Sequence, residues 1–461
     1  MGLSPGTLRF SDWAPALRGA DHSEIFLEDS SSSSVQFEDS RVTEVTGGVE
    51  CGTGWRALRR SGPEVETLHA SINAIDPSLT LSAADRLLGG SPRRAAPRPA
   101  PLDLHLLPPR IAPSEVPFEA KVELLRRADR AVRSSCPHIS QVQLTYAERV
   151  RRFAILNSRG EFRYGERTSV AFVVGVTAAK GSTLQTSSTV IAGPKGFELF
   201  EDADPVRASL RTALVAVEKL DAPAARAGEM PVVLASSAGG TLIHEAIGHS
   251  LEADHVQEGT SPHYTAKTGR AVAGEHLTII DDPTLPFACG SFPFDDEGLP
   301  ARPTALVERG ILKNYLYDES TAMREGRSSN GHGRRESFRH RPIPRMSNLY
   351  IAPGSDDPAR IVRELDRGLL VLRMGGGEVN TATGEFMFSV DEGFLVEGGK
   401  VRHRVRDASI LGMGPEVLAS IDRLGWDIGW DTGVCDKQGQ GVPVSDGQPT
   451  LRIPKLLVGG R

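Results

Sequence analysis

The residues best suited to chemistry stand in one stretch, His244-Glu-Ala-Ile-Gly-His249, where two histidines flank a glutamate. Imidazole is the commonest metal ligand in proteins, and a carboxylate beside a metal ion can act as a general base towards water. Zinc-dependent peptidases carry a related pattern, H-E-x-x-H, whose histidines share one helix face. The stretch therefore indicates a metal site with His244 and His249 as ligands and Glu245 as the base.

The spacing between these histidines is one residue longer than in the related pattern. On a regular α-helix, a separation of five residues turns the second side chain about 140° away from the first, against about 40° for a separation of four. Two local changes would solve the problem: a π-helical turn, which accommodates one extra residue, or a loosened turn at Gly248. The sequence therefore predicts that the helix departs from regular α geometry between His244 and His249.

A catalytic zinc ion needs a third protein ligand, and the sequence offers several. Glu252 and Asp254 follow the second histidine closely, but either is at least as well suited to orient an imidazole N–H group from behind. His255 and His263 lie slightly further along the chain. Cys435 is distant; thiolate is a good zinc ligand, although a single cysteine is more often a small buried apolar residue. On chemistry alone, the third ligand stays open.

The composition of the 461-residue chain is that of an ordinary water-soluble protein, with 39% hydrophobic and 24% charged residues. Its net charge of -6 argues against nucleic acid as the main partner, because phosphate binding needs a basic surface. The four cysteines are too few and too scattered for a disulfide framework. No segment resembles a secretory signal or reaches the length of a transmembrane helix, so the sequence predicts a cytoplasmic protein with no membrane partner.

The N-terminal half begins with the alternating apolar and polar residues typical of β-strands. Segments 24–28, 34–38 and 41–45 are predicted to form an antiparallel meander, with the serines at 30–34 as a loop tip. A proline-rich connector is predicted over 89–117, because proline lacks the amide hydrogen and the torsional freedom that helices and central strands need.

Two helices, with strands between them, follow the connector. The first starts at Phe118 and shows apolar residues at spacings of three and four, and the second starts at Pro205 with Asp204 as its cap. The segments before and after the connector share the same succession of three predicted strands. We therefore interpret residues 1–225 as an N-terminal α+β domain, β-rich with packed helices and made of two β-meander units that the connector joins.

The C-terminal half, residues 226–461, begins with a strand at 231–235 that leads directly into the histidine-bearing helix. Strands dominate beyond this helix, and glycines supply tight turns between paired runs. The fold class is therefore α+β, and a large, mostly antiparallel sheet is expected to carry the metal-binding helix.

Several motifs of this half resemble those of the TldD/PmbA family. They are His244-Glu-Ala-Ile-Gly-His-Ser-Leu-Glu-Ala-Asp254, Asp295-Asp-Glu-Gly298, Gly310-Ile-Leu-Lys-Asn-Tyr315, Asn330-Gly-His-Gly-Arg-Arg-Glu-Ser337, Gly375-Gly-Gly377, Val434-Cys-Asp-Lys-Gln-Gly-Gln440, Gly447-Gln-Pro-Thr450 and Val458-Gly-Gly460. The resemblance covers essentially the whole C-terminal half and is weaker in the N-terminal half.

The resemblance implies a zinc-dependent metallopeptidase that binds one Zn²⁺ per chain. It places His244, His249 and Cys435 on the three metal ligands and Glu245 on the catalytic glutamate. The family cleaves short or unfolded peptides held in extended form within a dimer, so the implied substrate is a peptide or an unfolded protein. The implied protein partner is a TldE/PmbA-like relative without the two histidines, giving a heterodimer, or a second copy, giving a homodimer.

Two other functions fit the same residues. The chain could be a peptide-binding or chaperone-like module with a structural metal, or a zinc hydrolase with a substrate other than a peptide. Glu252 and Asp254 remain candidates for holding the imidazoles from behind. Three histidines are candidates for stabilising an oxyanion: His255, His263 and His332.

Overall fold

Residues 3–62, 64–89 and 98–460 are described by the structure, a computed structural model. Residues 90–97 of the predicted connector lie outside this description. The α-helices are α1 (Phe10–Trp13), α2 (Pro77–Leu88), α3 (Phe118–Ser135), α4 (Leu199–Asp202), α5 (Pro205–Leu220), α6 (Thr241–Ile243), α7 (Ala253–Gln257), α8 (Glu319–Arg324), α9 (Pro358–Arg363) and α10 (Gly414–Ser420). None of the helices in the described residues has the length and apolar character needed to cross a bilayer.

The strands divide between the two halves of the chain. Those of the N-terminal half are β1 (His22–Glu38), β2 (Arg41–Ser61), β3 (Glu64–Ile72), β4 (Asp103–Leu106), β5 (Ile139–Asn157), β6 (Phe162–Lys180) and β7 (Thr183–Gly193). Those of the C-terminal half are β8 (Gly228–Leu234), β9 (Ile279–Asp281), β10 (Thr304–Glu308), β11 (Ile311–Leu312), β12 (Gly333–Arg334), β13 (Ile343–Pro344), β14 (Asn348–Ile351), β15 (Arg367–Val379), β16 (Glu385–Glu397), β17 (Lys400–Val405), β18 (Ser409–Met413), β19 (Arg423–Leu424), β20 (Gly429–Lys437), β21 (Gln440–Gln448) and β22 (Leu451–Gly459).

The described part of the N-terminal half forms one sheet, in the order β3-β2-β1-β5-β6-β4, with β7 also paired to β6. Two antiparallel meanders, β1 to β3 and β5 to β7, meet along β1 and β5, whose register runs from Glu24 opposite Asn157 to Glu38 opposite Gln143. Helices α3 and α5 pack on one face of this sheet. Both helices begin where the sequence predicts, and Asp204 caps α5 by accepting from the Val206 N–H group at 2.8 Å.

The serines at 30–34 lie inside β1, so their prediction as a loop tip is wrong. Strand β1 pairs with β2 on one side and with β5 on the other along this segment. Ladders on both sides satisfy its backbone groups, and this outweighs the low strand preference of serine. The chain turns instead at Asp39-Ser40, whose φ values of 48° and 67° are those of a tight hairpin turn.

The C-terminal half is rich in mostly antiparallel strands, and the predicted α+β class is confirmed. Its strands are shared between two larger sheets, with the orders β11-β10-β9-β14-β21-β20 and β15-β8-β22-β18-β16-β17. The histidine-bearing segment lies between them. Helix α6 packs against β14 and β21 of the first sheet, and the turn after it packs against β15 and β16 of the second.

The histidine-bearing segment is part of the protein core. Leu242, Ile243, Ala246, Ile247 and Leu251 are at most 3% exposed and pack in one apolar cluster with residues of both sheets. Burying a large aliphatic side chain contributes about 1.5–3 kcal/mol. Packing on both sides therefore anchors the segment and fixes the direction of its polar side chains.

Buried ion pairs join the two halves of the chain. Arg56 donates to Glu24 at 2.9 Å and also contacts Glu297, and Arg335 donates to Glu24. All four side chains are at most 1% exposed. Removing one partner of such a buried pair typically costs about 3–5 kcal/mol, so these contacts hold the halves in a fixed relation.

Candidate metal centre

The segment that carries the two histidines contains a π-helical turn. Helix α6 is followed by a π turn over His244–Gly248, in which the His249 N–H group donates to the His244 carbonyl. In a π turn, side chains five residues apart lie above one another, as those four apart do in an α-helix. The predicted departure from α geometry is confirmed. Gly248 keeps helical torsion angles and does not end the helix, so the π turn is the change that occurs.

Glycines allow neighbouring backbone and side-chain atoms to pack closely around the π turn. A Cβ atom at Gly414, the first residue of α10, would lie 2.6 Å from the Ala246 carbonyl oxygen. A Cβ atom at Gly248 would lie 2.2 Å from Met346 Sδ. The turn is thus held by contacts that leave no room for a methyl group.

We expect the substitution Gly414→Ala to lower the free energy of unfolding by about 1–3 kcal/mol, the usual cost of overpacking. The new methyl group would meet the backbone of Ala246, which can move only by displacing the π turn. Chemical denaturation measures the effect. Gly376→Ala is the matched control, because a Cβ atom there meets nothing within 4 Å. Equal stability of the two variants would contradict the close contact.

The donor atoms of His244, His249 and Cys435 converge on one point. Cys435 Sγ lies 3.2 Å from His244 Nε2 and 3.4 Å from His249 Nε2, and the three atoms are all within 4.8 Å of one another. A tetrahedral zinc ion with bonds of about 2.0–2.1 Å to nitrogen and 2.3 Å to sulfur requires nitrogen–sulfur separations of about 3.6 Å. The observed separations are close to this value, so the three residues fit a zinc ion.

Each imidazole is held from behind by a carboxylate. His244 Nδ1 lies 2.8 Å from Asp446 Oδ1, and His249 Nδ1 lies 2.9 Å from Glu252 Oε2. Such a contact fixes the tautomer and the orientation of a metal-binding histidine, so that Nε2 is the free nitrogen. Both free nitrogens face Cys435. This arrangement is typical of metal-bound histidines.

Asp446 was missed by the sequence interpretation, although its hairpin carries a readable signal. The turn at Gln438-Gly439 has positive φ at both residues, as a two-residue hairpin turn requires, and it sets Cys435 opposite Val442. Because every second strand residue faces the same side, Asp446 falls on the face of Cys435. Reading Gln-Gly as a hairpin turn brings Asp446 to the site.

The two acidic residues after the second histidine occupy different positions. Glu252 contacts His249 directly, whereas Asp254 accepts from Lys437 Nζ at 2.7 Å. Lys437 Nζ also lies 3.0 Å from Glu252 Oε2. Asp254 is therefore one contact further from the imidazoles than Glu252, and neither carboxylate is among the three converging donors.

The charges of the cluster shift the pKa values of its members. Burial lowers the pKa of His249, but the Glu252 carboxylate and the Cys435 thiol outweigh it and raise the pKa to about 9. Burial raises the pKa of the Cys435 thiol, but hydrogen bonds from the two imidazoles lower it to about 6. The cluster thus favours a thiolate, and a metal cation that binds there displaces the protons of the imidazoles.

Glu245 is half-buried and follows His244 directly in the π turn. The pKa of the Asp446 carboxyl is raised mainly by burial, with His244 opposing and the negative charge of Glu245 adding to the rise. Glu245 is the chain neighbour of His244, and Asp446 and Glu252 are the carboxylates that hold the imidazoles.

The three histidines considered as oxyanion donors lie in different surroundings. His255 lies beside a carboxylate of the cluster, with Nε2 3.9 Å from Glu252 Oε2. His263 is exposed, and its Nε2 lies 3.0 Å from the Thr383 carbonyl oxygen. His332 is fully buried, and both ring nitrogens are engaged, by Asn330 and by Asp281. Both ring nitrogens of His332 are therefore occupied by other side chains, and of the three histidines it is the one with no nitrogen left to donate to an oxyanion.

Comparison with known proteins places the chain in a family. Residues 227–460 match the PmbA/TldA metallopeptidase C-terminal domain, and residues 111–221 match the PmbA/TldA metallopeptidase central domain. A Haemophilus influenzae protein named metalloprotease TldD homolog is 32% identical over 460 residues, which cover 96% of this chain and 94% of that protein. The chain belongs to the PmbA/TldD family. The resemblance inferred from the motifs is confirmed.

Other PmbA/TldD proteins are similar over most of the chain. A Saccharolobus solfataricus protein named zinc metalloprotease TldD homolog is 30% identical over 345 residues, 74% of this chain and 76% of that protein. The crystal structure of TldE from Thermococcus kodakarensis has a TM-score of 0.73 at 20% identity, covering 96% of this chain and 97% of that one. This likeness shows that the chain has the PmbA/TldD fold.

Proposed function

We propose that this PmbA/TldD chain is a zinc-dependent metallopeptidase. His244, His249 and Cys435 bind one Zn²⁺ per chain, and Glu245 is the general base. The observation that carries the proposal is the convergence of two imidazoles and one thiol, with a carboxylate behind each imidazole. The names of the relatives, metalloprotease and zinc metalloprotease, support it.

Each polar residue of the site has a task in this reaction. When bound, a zinc ion supplies a Lewis acid that polarises the scissile carbonyl and makes water more acidic. Glu245 accepts the proton of the attacking water and passes it to the leaving amine. Asp446 and Glu252 keep the imidazoles in the tautomer that leaves Nε2 free. With Zn²⁺ bound, two neutral imidazoles and one thiolate would leave a net charge of +1 at the site, which would favour a developing oxyanion.

The strand that carries Cys435 supports an extended peptide as the substrate. Strand β20 is at the end of its sheet, and no strand of the described residues pairs with its outer edge. Trp430 and Val434 on this strand are 39% and 73% exposed. A peptide added to such an edge is held mainly by backbone hydrogen bonds, which fits short or unfolded peptides of varied sequence.

The proposal includes a dimer and a location. The partner is a TldE/PmbA-like relative, giving a heterodimer, or a second copy of this chain, giving a homodimer. The structural likeness to TldE supports a partner from within the family.

Two further points belong to the proposal. Asp254 accepts from Lys437 and contacts none of the three metal ligands, so it acts on the site through Lys437. The net charge of -6 supports the absence of a nucleic-acid partner, and we propose a cytoplasmic location.

Metal analysis combined with a cleavage assay tests the proposed function. We expect one zinc ion per chain and cleavage of an unfolded peptide, because the site offers three ligands and a base. A chelator abolishes cleavage and added zinc restores it. The control is a substrate protein tested in its unfolded and its folded form, and only the unfolded form should be cleaved. Bound zinc without cleavage of any unfolded peptide would point to a peptide-binding module with a structural metal. Cleavage of non-peptide esters alone would point to a zinc hydrolase with another kind of substrate.

A further inference from the structure

Lys437 is a buried cation close to the candidate metal centre. It follows Cys435 by two residues on β20, and its side chain is 5% exposed. Lysine is almost never buried unless it is paired. Its ammonium group has three donor positions, and three acceptors surround it: Asp254 Oδ1 at 2.7 Å, Glu252 Oε2 at 3.0 Å and the Pro344 carbonyl oxygen at 3.1 Å. Two hydrogen bonds and two carboxylates therefore hold the ammonium and compensate its charge.

One oxygen atom of Glu252 is shared between Lys437 and a ligand histidine. Glu252 Oε2 lies 3.0 Å from Lys437 Nζ and 2.9 Å from His249 Nδ1. Its other oxygen, Oε1, lies 3.9 Å from Arg345 Nε and has no hydrogen-bond partner among the described residues. Glu252 is completely buried. Lys437 is thus closer to Glu252 than Arg345 is, and it forms an ion pair with the oxygen that faces His249.

The contact between Lys437 and Glu252 also joins two elements of the site. Lys437 and Cys435 stand two residues apart on β20, so both side chains point to the same face of the strand. Glu252 follows directly after the His249–Leu251 turn. The ammonium therefore ties the strand of the thiol ligand to the turn of the imidazole ligand. Arg345, which donates to the Cys435 carbonyl, adds a second tie on the same side.

We propose that Lys437 is a positioning residue for the metal site. Through Glu252 it holds the His249 ring with Nε2 towards Cys435, and it sets the spacing between the strand and the turn. Lys437 itself contacts none of the three donor atoms. The inference rests on the proposed function only in taking zinc as the ion that the three residues bind.

The test measures zinc affinity by competition with a chelator, in the absence of substrate. Lys437→Met removes the ammonium and keeps an unbranched side chain, and we expect its zinc affinity to fall about 10–100-fold, as for other residues that orient metal ligands. Lys437→Arg keeps a positive charge and should recover part of the loss. Lys455→Met is the matched control, because Lys455 is a 69% exposed lysine on β22 that pairs with Glu229 on β8. The zinc affinity of this variant should equal that of the unchanged chain.

A double variant separates positioning from simple stabilisation. If Lys437 acts through Glu252, zinc binding by Lys437→Met/Glu252→Gln should be no weaker than by Glu252→Gln alone. Losses that add in the double variant would overturn the proposal. So would a Lys437→Met variant that melts earlier but binds zinc as tightly as the unchanged chain. A chain that binds zinc and cleaves no peptide contradicts the proposed function and leaves this test intact.

Discussion

Replacing Glu245 by glutamine should abolish peptide cleavage and leave zinc bound. Glutamine has nearly the same shape as glutamate but cannot accept a proton from water, and general base catalysis contributes about 10²–10⁴-fold to such reactions. Glu245 is not one of the three converging donors, so its loss leaves the ligand set complete. We expect kcat to fall by about that factor while zinc content, measured by elemental analysis, stays at one ion per chain.

Glu258→Gln is the control for this experiment. Glu258 is an exposed glutamate just after α7, on the same stretch of chain, and its replacement changes the net charge equally. Its kcat should match that of the unchanged protein. A Glu245→Gln variant that still turns over peptide at a comparable rate, with zinc confirmed in place, would exclude Glu245 as the general base.

Replacing Cys435 by serine should weaken zinc binding by more than about 100-fold, beyond the loss expected for a residue that only orients a ligand. A serine hydroxyl stays protonated at neutral pH and is a poor zinc ligand, so the ion keeps only two imidazoles. Burial raises the pKa of the Cys435 thiol, but the two imidazoles outweigh it and lower the pKa to about 6, which favours a thiolate at this position. Competition titration with a chelator measures the affinity.

Cys289→Ser provides the comparison, because Cys289 is also a buried cysteine of the C-terminal half and is not part of the cluster. Its zinc affinity should be unchanged. If Cys435→Ser binds zinc as tightly as the unchanged chain, the third ligand is another residue, and Glu252 or Asp254 becomes the better choice.

The sequence predicted the local part of the site better than the distant part. His244, Glu245 and His249 are recognisable from residue types and spacing, and the spacing itself predicts that the helix departs from α geometry between the histidines. Cys435 could not be chosen on chemistry, because its place beside the histidines depends on how β20 and β21 join a sheet with β14. Asp446 requires the register of that hairpin, which a two-residue turn sets.

The fold shows the same division between local and distant information. Periodicity identified the strands and the α+β class, because it reflects which residues face a core. It did not show that the C-terminal strands form two larger sheets, since β8 and β9 follow each other in the chain and belong to different ones. The serine run in β1 misled for a related reason: its strand conformation comes from the neighbours on both sides, not from its own side chains.

The distance along the chain between the converging donors has a consequence for biosynthesis. Cys435 follows His249 by 186 residues, and ribosomes add about 5–20 residues per second, so roughly 10–40 s separate the appearance of the two. During that time the nascent polypeptide offers a metal only two of the three donors. An unfolded nascent chain is also the kind of substrate that the proposed enzyme cleaves. In the proposed enzyme, the metal centre would therefore be incomplete until most of the chain has been synthesised.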